Sequence, residues 1–275
     1  HRAFHALPAL TTKKGEPVGA VYGFLLVFLK ALKDFQPDFV VACFDSPGLT
    51  FRHQRLKEYK AKRPPAPNEL YQQIPKVKEV LESFRVAIFE KEGFEADDLI
   101  GTIAHLAQKK QVIPELETII LSGDLDVFQL INKNTKVYSL RKGVRKIILY
   151  DEAEVKKKYG LRPLQLLDFK ALKGDPSDNI PGVTGVGEKT AIKLLSQFDT
   201  LENIYANIDK VPKKLSEKLI KYKEQAFFSR ELAKIDQNVP IDFNLQDCKW
   251  GDYDREKAIE TLRRLEFKSL IERLP

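Results

Sequence analysis

The sequence has few of the residues and patterns that define several large classes of protein. Two cysteines in 275 residues cannot form a disulfide framework, and no histidine and cysteine pair has zinc-finger spacing. The longest apolar run, residues 18–29, is well short of the roughly 20 residues that cross a bilayer. We therefore expect no membrane span. The lack of a basic and apolar leader favours a reducing cytosol.

Positive charge is in excess and is clustered rather than spread evenly. The formal net charge of +7 at pH 7 by itself fits a polyanionic partner, a ribosomal protein or plain solubility. Residues 51–63 carry six lysines and arginines against one acid, with Phe51 and Tyr59 among them. Prolines follow at 64, 65 and 67, which indicates an exposed segment. The clustering favours a polyanionic partner.

Helical and strand patterns alternate through the first half of the chain. Apolar residues recur at helical spacing after Pro17, and further helices are predicted at 69–84 and from 95 onwards. Buried-type strands are predicted at 39–44, 86–89 and 118–121, and a hairpin from 137–140 and 146–150. We therefore expect an α/β fold with a mainly parallel central sheet flanked by helices. Helical patterns dominate afterwards, so we divide the chain into domains 1–160 and 161–275.

Acidic residues follow the predicted strands, at the sheet edge where parallel sheets bind ligands. Clustered carboxylates repel one another unless cations lie among them. Mg²⁺ or Mn²⁺ suits such a cluster, and two ions about 4 Å apart can activate water for attack on a phosphate. Any single acid could instead cap a helix or lie in solvent, but eight at similar places favour a metal centre. The eight are Asp45, Glu95, Asp97, Asp98, Asp124, Asp126, Asp175 and Asp178.

A glycine-rich turn at residues 182–187 separates two predicted helices, at 163–173 and 188–197. Glycines let backbone N–H groups approach a phosphate at the start of the following helix. The pattern predicts a helix-hairpin-helix that holds the DNA backbone without recognising bases, although a plain turn between packed helices is an alternative. It is not a mononucleotide-binding loop, because the Gly-x₄-Gly-Lys-Ser/Thr spacing is missing. The candidate residues are Gly182, Gly185, Gly187, Lys189, Thr190 and Lys193.

Six blocks of the sequence together resemble the 5′-to-3′ exonuclease and flap endonuclease family, in the form found at the front of bacterial DNA polymerase I. The blocks agree in identity, order and spacing, and the resemblance covers nearly the whole chain. They lie at residues 2–7, 44–45, 51–63, 93–98, 122–126 and 174–182.

The resemblance implies a metal-dependent nuclease with a PIN-like core and a C-terminal helix-hairpin-helix domain. Its substrates would be DNA with 5′ flaps or 5′ ends and RNA primers on DNA, during replication and repair. The first six acids would hold one metal centre directly or through water, and Asp175 and Asp178 would serve a second. Residues 51–92 would form a flexible arch, and carbonyls of the turn would bind K⁺. Arg2, Lys60 and Arg63 would contact the scissile phosphate, and Arg52 and Tyr59 the DNA.

The resemblance further implies a monomer that is fused to, or works with, a DNA polymerase in the bacterial cytoplasm near the nucleoid. In this family a strand ending in another metal-binding Asp precedes the segment that resembles His1-Arg2-Ala-Phe. We therefore expect a fragment with an incomplete carboxylate cluster. Two other functions stay open, namely a non-catalytic DNA-binding relative and an RNA-directed nuclease with a similar acidic core. The sequence does not rank exonuclease activity over flap cleavage.

Overall fold

The computed structural model describes residues 1–7, 9–109, 116–142 and 146–275. Helices alternate with short strands up to residue 150 and dominate afterwards, as the sequence pattern predicts. The strands are β1 Val41–Phe44, β2 Ala87–Glu90, β3 Thr118–Leu121, β4 Thr135–Lys142 and β5 Lys146–Tyr150. The α-helices are α1 Arg2–Ala6, α2 Gly19–Phe35, α3 Phe51–Arg55, α4 Asn68–Tyr71, α5 Ile74–Ser83, α6 Ala96–Lys109, α7 Glu152–Tyr159, α8 Gln165–Lys173, α9 Glu188–Phe198, α10 Leu201–Ala206, α11 Lys213–Lys221, α12 Lys223–Ala233, α13 Arg255–Arg264 and α14 Lys268–Ile271.

The strands of the described residues form two small sheets. β1 pairs in parallel with β2, with Val41 opposite Ala87, and β3 pairs in parallel with β4, with Thr118 opposite Thr135. β5 is antiparallel to β4, which confirms the predicted hairpin. The α/β class and the parallel pairing are confirmed. The strands nevertheless fall into two hydrogen-bonded groups, where the sequence pattern predicted one central sheet.

The most apolar segment of the chain forms α2, a helix of the core. Val21 and Leu25 are fully buried on it, because apolar residues at intervals of three and four occupy one helical face. At the start of α2, the amide of Ala20 donates to Oε1 of Gln73 at 2.7 Å. None of the helices in the described part of the chain is both long enough and apolar enough to cross a membrane.

The segment predicted to form an arch, residues 51–92, contains elements that pack in the core. α5 buries Val77, Val80 and Leu81 in the same core as α2, and β2 lies in a sheet. Residues 74–90 therefore contribute side chains and a strand to the core, and the extent of the arch stays a prediction. Half of the exposed side chains of this region lie between residues 57 and 69.

Hydrophobic packing crosses the predicted division near residue 160. Tyr150 shares a core cluster with Leu166 and Leu172, and Leu262 of α13 packs in the cluster that contains Leu25 and Val80. The last helices therefore return to the first half of the chain.

Candidate metal and nucleic-acid site

Acids from three separate segments meet in one pocket beyond the strands. Asp45 follows β1 directly and accepts the N–H of Ala96, at the start of α6, at 2.8 Å. Asp124 follows β3 and accepts the amide of Asp126 at 2.9 Å. We call the cluster the acidic pocket, and five of the predicted acids line it: Glu95, Asp97, Asp124, Asp126 and Asp178.

The pKa of Asp97 shows the electrostatic cost of this cluster. Burial, together with the charges of Asp124, Asp126, Asp45 and Glu95, raises the pKa of Asp97 to about 8. A carboxyl group with such a pKa stays protonated near neutral pH, because ionising it would place one more negative charge in a poorly solvated cluster. A cation would remove this penalty, so the pocket has the electrostatics of a cation site.

A second group of carboxylates adjoins the first. Oxygen atoms of Asp126, Asp175 and Asp178 all lie within 4.8 Å of one another. The donors are hard oxygen atoms, which fits a divalent ion of the Mg²⁺ or Mn²⁺ kind. The structure therefore brings together acids that the resemblance assigned to two different ions, with Asp126 common to both groups.

Lys170 is a site residue that the sequence analysis missed. Its Nζ on α8 lies 2.5 Å from Oδ1 of Asp126 and 2.7 Å from Oδ2 of Asp175. Burial favours the neutral amine, but the two carboxylates raise the pKa of Lys170 above its usual range. Burial by itself would raise the pKa of Asp175, but the charge of Lys170 outweighs burial and lowers this pKa to about 2. The sequence offers one signal that could have identified it, namely that Lys170 lies five residues before Asp175 on the preceding helix.

Two basic residues of the segment 57–63 pair with the acids. Nζ of Lys60 lies 2.7 Å from Oε1 of Glu95, and its backbone N–H donates to the carbonyl of Asp178 at 3.0 Å. Arg63 pairs with the carboxylate of Asp178 and donates from Nε to the carbonyl of Ser177 at 3.2 Å. The base of the predicted arch is thus docked on the loop that carries the second group of acids.

Arg2 lies at the same edge of the site. Its side chain covers Gly123, so that a Cβ at this position would collide with it. Only a glycine therefore fits between Ser122 and Asp124 with Arg2 in this place. The contact puts Arg2 beside the acids that follow β3.

The glycine-rich turn has the backbone that the sequence predicts. Gly182 and Gly185 have φ angles of 62° and 82°, in the left-handed region that favours glycine. Among the described residues no side chain caps the start of α9, so its first amides are open to an anion. Lys189 and Lys193 are exposed, and Thr190 is half-buried. Lys218, which the sequence analysis did not select, lies against the turn, with Nζ 2.7 Å from the position of a Cβ at Gly185.

Comparison with known families agrees with this geometry. A family model described as the 5′-3′ exonuclease, N-terminal resolvase-like domain, matches residues 1–160. A second, described as the 5′-3′ exonuclease, C-terminal SAM fold, matches residues 161–256. The chain belongs to the 5′-3′ exonuclease family. This membership confirms the resemblance drawn from the six sequence blocks.

Curated relatives are much longer than this chain. DNA polymerase I of Bacillus subtilis is 45% identical over 275 residues, which are 100% of this chain and 31% of the relative. The thermostable DNA polymerase I of Thermus thermophilus is 40% identical over 278 residues, or 98% of this chain and 31% of the relative. The chain thus spans 31% of the length of these relatives.

Two solved structures share the fold. The zinc-bound T5 5′-exonuclease is 20% identical with a TM-score of 0.65, over 94% of this chain and 92% of that chain. The catalytic core of Rad2 in complex with DNA substrate is 18% identical with a TM-score of 0.63, over 99% of this chain and 89% of that chain. At these identities the likeness confirms the fold of this 5′-3′ exonuclease family member.

Three of the predicted site residues have other roles in the structure. Both oxygens of Asp98, which is fully buried, accept from the guanidinium of Arg52 at 2.7 Å. Arg52 is only 3% exposed, and so is Tyr59, whose hydroxyl lies 3.3 Å from oxygens of Glu95 and Asp178. The metal ligation expected of Asp98 and the DNA contacts expected of Arg52 and Tyr59 stay predictions beside these observed contacts. Sequence spacing does not reveal which acid of a cluster pairs with a buried arginine.

Proposed function

We propose that this chain hydrolyses phosphodiester bonds of DNA at 5′ ends and 5′ flaps, with two Mg²⁺ or Mn²⁺ ions. The observation that carries the proposal is the acidic pocket, where burial and four neighbouring carboxylates hold the pKa of Asp97 at about 8. Such a cluster needs divalent cations. Basic side chains at its rim supply the partners for a phosphate.

When bound, the two ions would activate water and stabilise the leaving oxygen. Asp126, Asp175 and Asp178 offer oxygens close enough together to share an ion. Lys60 and Arg63 are paired with Glu95 and Asp178. Once cations neutralise these acids, the two side chains are free to bind the scissile phosphate, where their charge counts most as the transition state develops.

We assign duplex binding to the glycine-rich turn and the start of α9. Backbone amides there and the exposed Lys189 and Lys193 suit phosphates and carry no means of distinguishing bases, so binding is non-specific. Carbonyls of the same turn are our candidate ligands for K⁺. In this proposal residues 1–160 form the catalytic part, residues 161–275 form the duplex-binding part, and the chain acts as a monomer.

We place the activity beside a DNA polymerase, in the bacterial cytoplasm at the nucleoid. The support is that the relatives are bacterial DNA polymerase I proteins, of which this chain matches 31%. Removal of RNA primers and repair of flaps are the tasks that such an arrangement would serve.

The test is single-turnover cleavage of a 5′-flap DNA in Mg²⁺, with EDTA and an RNA of equal length as comparisons. We expect cleavage of the DNA that EDTA abolishes. Asp124→Asn should abolish cleavage while duplex affinity in Ca²⁺ is kept or improved, because one negative charge facing the phosphates is removed. Asp242→Asn, which changes an exposed carboxylate outside the pocket, is the matched control.

Two outcomes would favour the other functions. Binding of DNA without metal-dependent cleavage would support a non-catalytic relative. Faster cleavage of the RNA would support an RNA-directed nuclease. Near-normal cleavage by Asp124→Asn would remove Asp124 from the metal centre.

A further inference from the structure

The first two turns of α12 are hydrogen-bonded to the glycine-rich turn. The amide of Gly182 donates to Oγ of Ser229 at 3.0 Å, and Nε2 of Gln225 donates to the carbonyl of Gly182 at 2.5 Å. Ser229 is fully buried. Both backbone groups of the first glycine of the turn are therefore fixed to α12.

The other end of α12 is hydrogen-bonded to segments that carry acids of the pocket. Arg52 donates from Nε to the carbonyl of Leu232 at 2.9 Å and from Nη2 to that of Lys234 at 2.6 Å. Gln129 donates from Nε2 to the carbonyl of Ala233 at 3.1 Å and accepts the amide of Ile235 at 3.0 Å. The last turn of α12 and the residues after it are thus held by two side chains.

Each of these side chains is connected to an acid of the pocket. Arg52 pairs with Asp98, and Oδ2 of Asp98 accepts the amide of Glu95 at 3.0 Å. Gln129 belongs to the short 3-10 helix Asp126–Leu130, which starts at an acid of the pocket. A displacement at the end of α12 would therefore move Glu95 and Asp126.

The body of α12 is rigid enough to carry such a displacement. It packs against α8, and Ala226, Leu232 and Ala233 are buried along it. Close-packed helices transmit small shifts because the core between them has little free volume to absorb them. The contacts at both ends and the packing between them form one continuous connection.

We propose that α12 couples duplex binding at the glycine-rich turn to the placement of Glu95 and Asp126, with Arg52 and Gln129 as positioning residues. This coupling rests on the proposed function, in which the turn binds the duplex. A duplex that fixes Gly182 also fixes α12, and through it the two acids. The nuclease is then most active on DNA that extends as far as the turn.

The test uses variants at the contact of α12 with the turn and at its contact with the segment after β3. Ser229→Ala removes the acceptor of the Gly182 amide, and Gln129→Met removes both hydrogen bonds of Gln129 with little change in side-chain volume. The matched controls make the same chemical changes elsewhere: Ser83→Ala, at another buried serine, and Gln108→Met, at a half-buried glutamine bonded to Thr135. Single-turnover rates at saturating DNA are measured in Mg²⁺ on flaps with progressively shorter downstream duplexes. Affinities are measured in Ca²⁺.

The wild-type rate should fall once the downstream duplex is too short to reach the turn. Gln129→Met should reduce this dependence about thirtyfold, which is the loss expected for two neutral hydrogen bonds of about 1 kcal/mol each, with unchanged affinity for the long duplex. The double variant with Ser229→Ala should lose no more than the worse single variant, because both interrupt the same connection. The control variants should keep the wild-type dependence.

Amide hydrogen exchange gives a readout that does not depend on cleavage. Long-duplex DNA in Ca²⁺ should slow exchange at the amides of Glu95 and Asp236, both of which donate to Asp98. Gln129→Met should abolish this protection while protection at Gly182 remains.

Different results would contradict duplex binding by the turn and coupling through α12. If the wild-type protein cleaves short and long duplexes equally, the assignment of the turn to duplex binding fails, and the coupling fails with it. If the wild-type protein shows the dependence and Gln129→Met keeps both it and the protection at Glu95, the coupling alone is overturned.

Discussion

Raising the pH should destabilise the metal-free protein through Asp97, and replacing Asp97 with asparagine should remove that effect. The pKa of this carboxyl group is raised to about 8 by burial and by four neighbouring acids. In the unfolded chain the group ionises near its ordinary value of 3.8. Between the two values the folded state holds a proton that the unfolded state has lost. The stability due to this proton is complete below the ordinary pKa and is lost as the pH rises to about 8.

The size of the effect follows from the shift. A pKa raised from 3.8 to about 8 corresponds to a loss of folding free energy on the order of 5 kcal/mol across the window. For a chain of this length, that is a fall in melting temperature of roughly 10 °C. Asp97→Asn has no proton to lose, so its melting temperature in EDTA should change much less and should exceed that of the wild-type protein above about pH 8.

The assay is thermal unfolding from about pH 6 to about pH 9, in EDTA and in Mg²⁺, a range that contains about half of the loss, or roughly 5 °C. Mg²⁺ should restore the wild-type melting temperature at the alkaline end, because a divalent ion offsets the repulsion in the acidic pocket. It should stabilise Asp97→Asn less. Asp242→Asn should follow the wild-type curve. A wild-type melting temperature in EDTA that stays level across this range would refute the reasoning, since it would show that the carboxylates are well solvated or far apart.

Three further predictions follow from the site. Lys60→Ala should slow single-turnover cleavage about a hundredfold, because its charge acts at the scissile phosphate, and it should weaken duplex binding far less. A proportional loss of affinity, or an equal effect of Lys57→Ala, would show that Lys60 is only a solvated charge. Gly185→Ala should destabilise its backbone by about 1 kcal/mol at φ 82° and weaken duplex binding in a filter-binding assay; Gly251→Ala, at φ 107° with open space around it, should cost similar stability and leave binding unchanged. Arg52→Lys loses the paired contacts with Asp98 and should lower the free energy of unfolding in urea by about 3 kcal/mol, against no measurable change for the exposed Arg55→Lys.

The sequence alone determined the class of the fold, the positions of the strands and of several helices, and the family. These follow from local periodicity and from motifs in a fixed order, which belong to the linear chain. The acids at the strand ends were predictable for the same reason, since Asp45 and Asp124 each follow an apolar run that forms a strand. The left-handed glycines of the turn were predictable because their spacing is itself a conformational signal.

Only the tertiary structure decided which charged side chains meet. Asp97 and Asp98 are adjacent in the sequence, yet Asp97 faces the acidic pocket, whereas Asp98 is buried against Arg52. Neighbouring residues on a helix point in directions about 100° apart, so what each one meets depends on elements far away along the chain. The same holds for Lys170, which reaches Asp126 only because α8 packs beside the segment after β3. Spacing along a sequence predicts the face that a residue occupies, and packing between distant segments decides its partner.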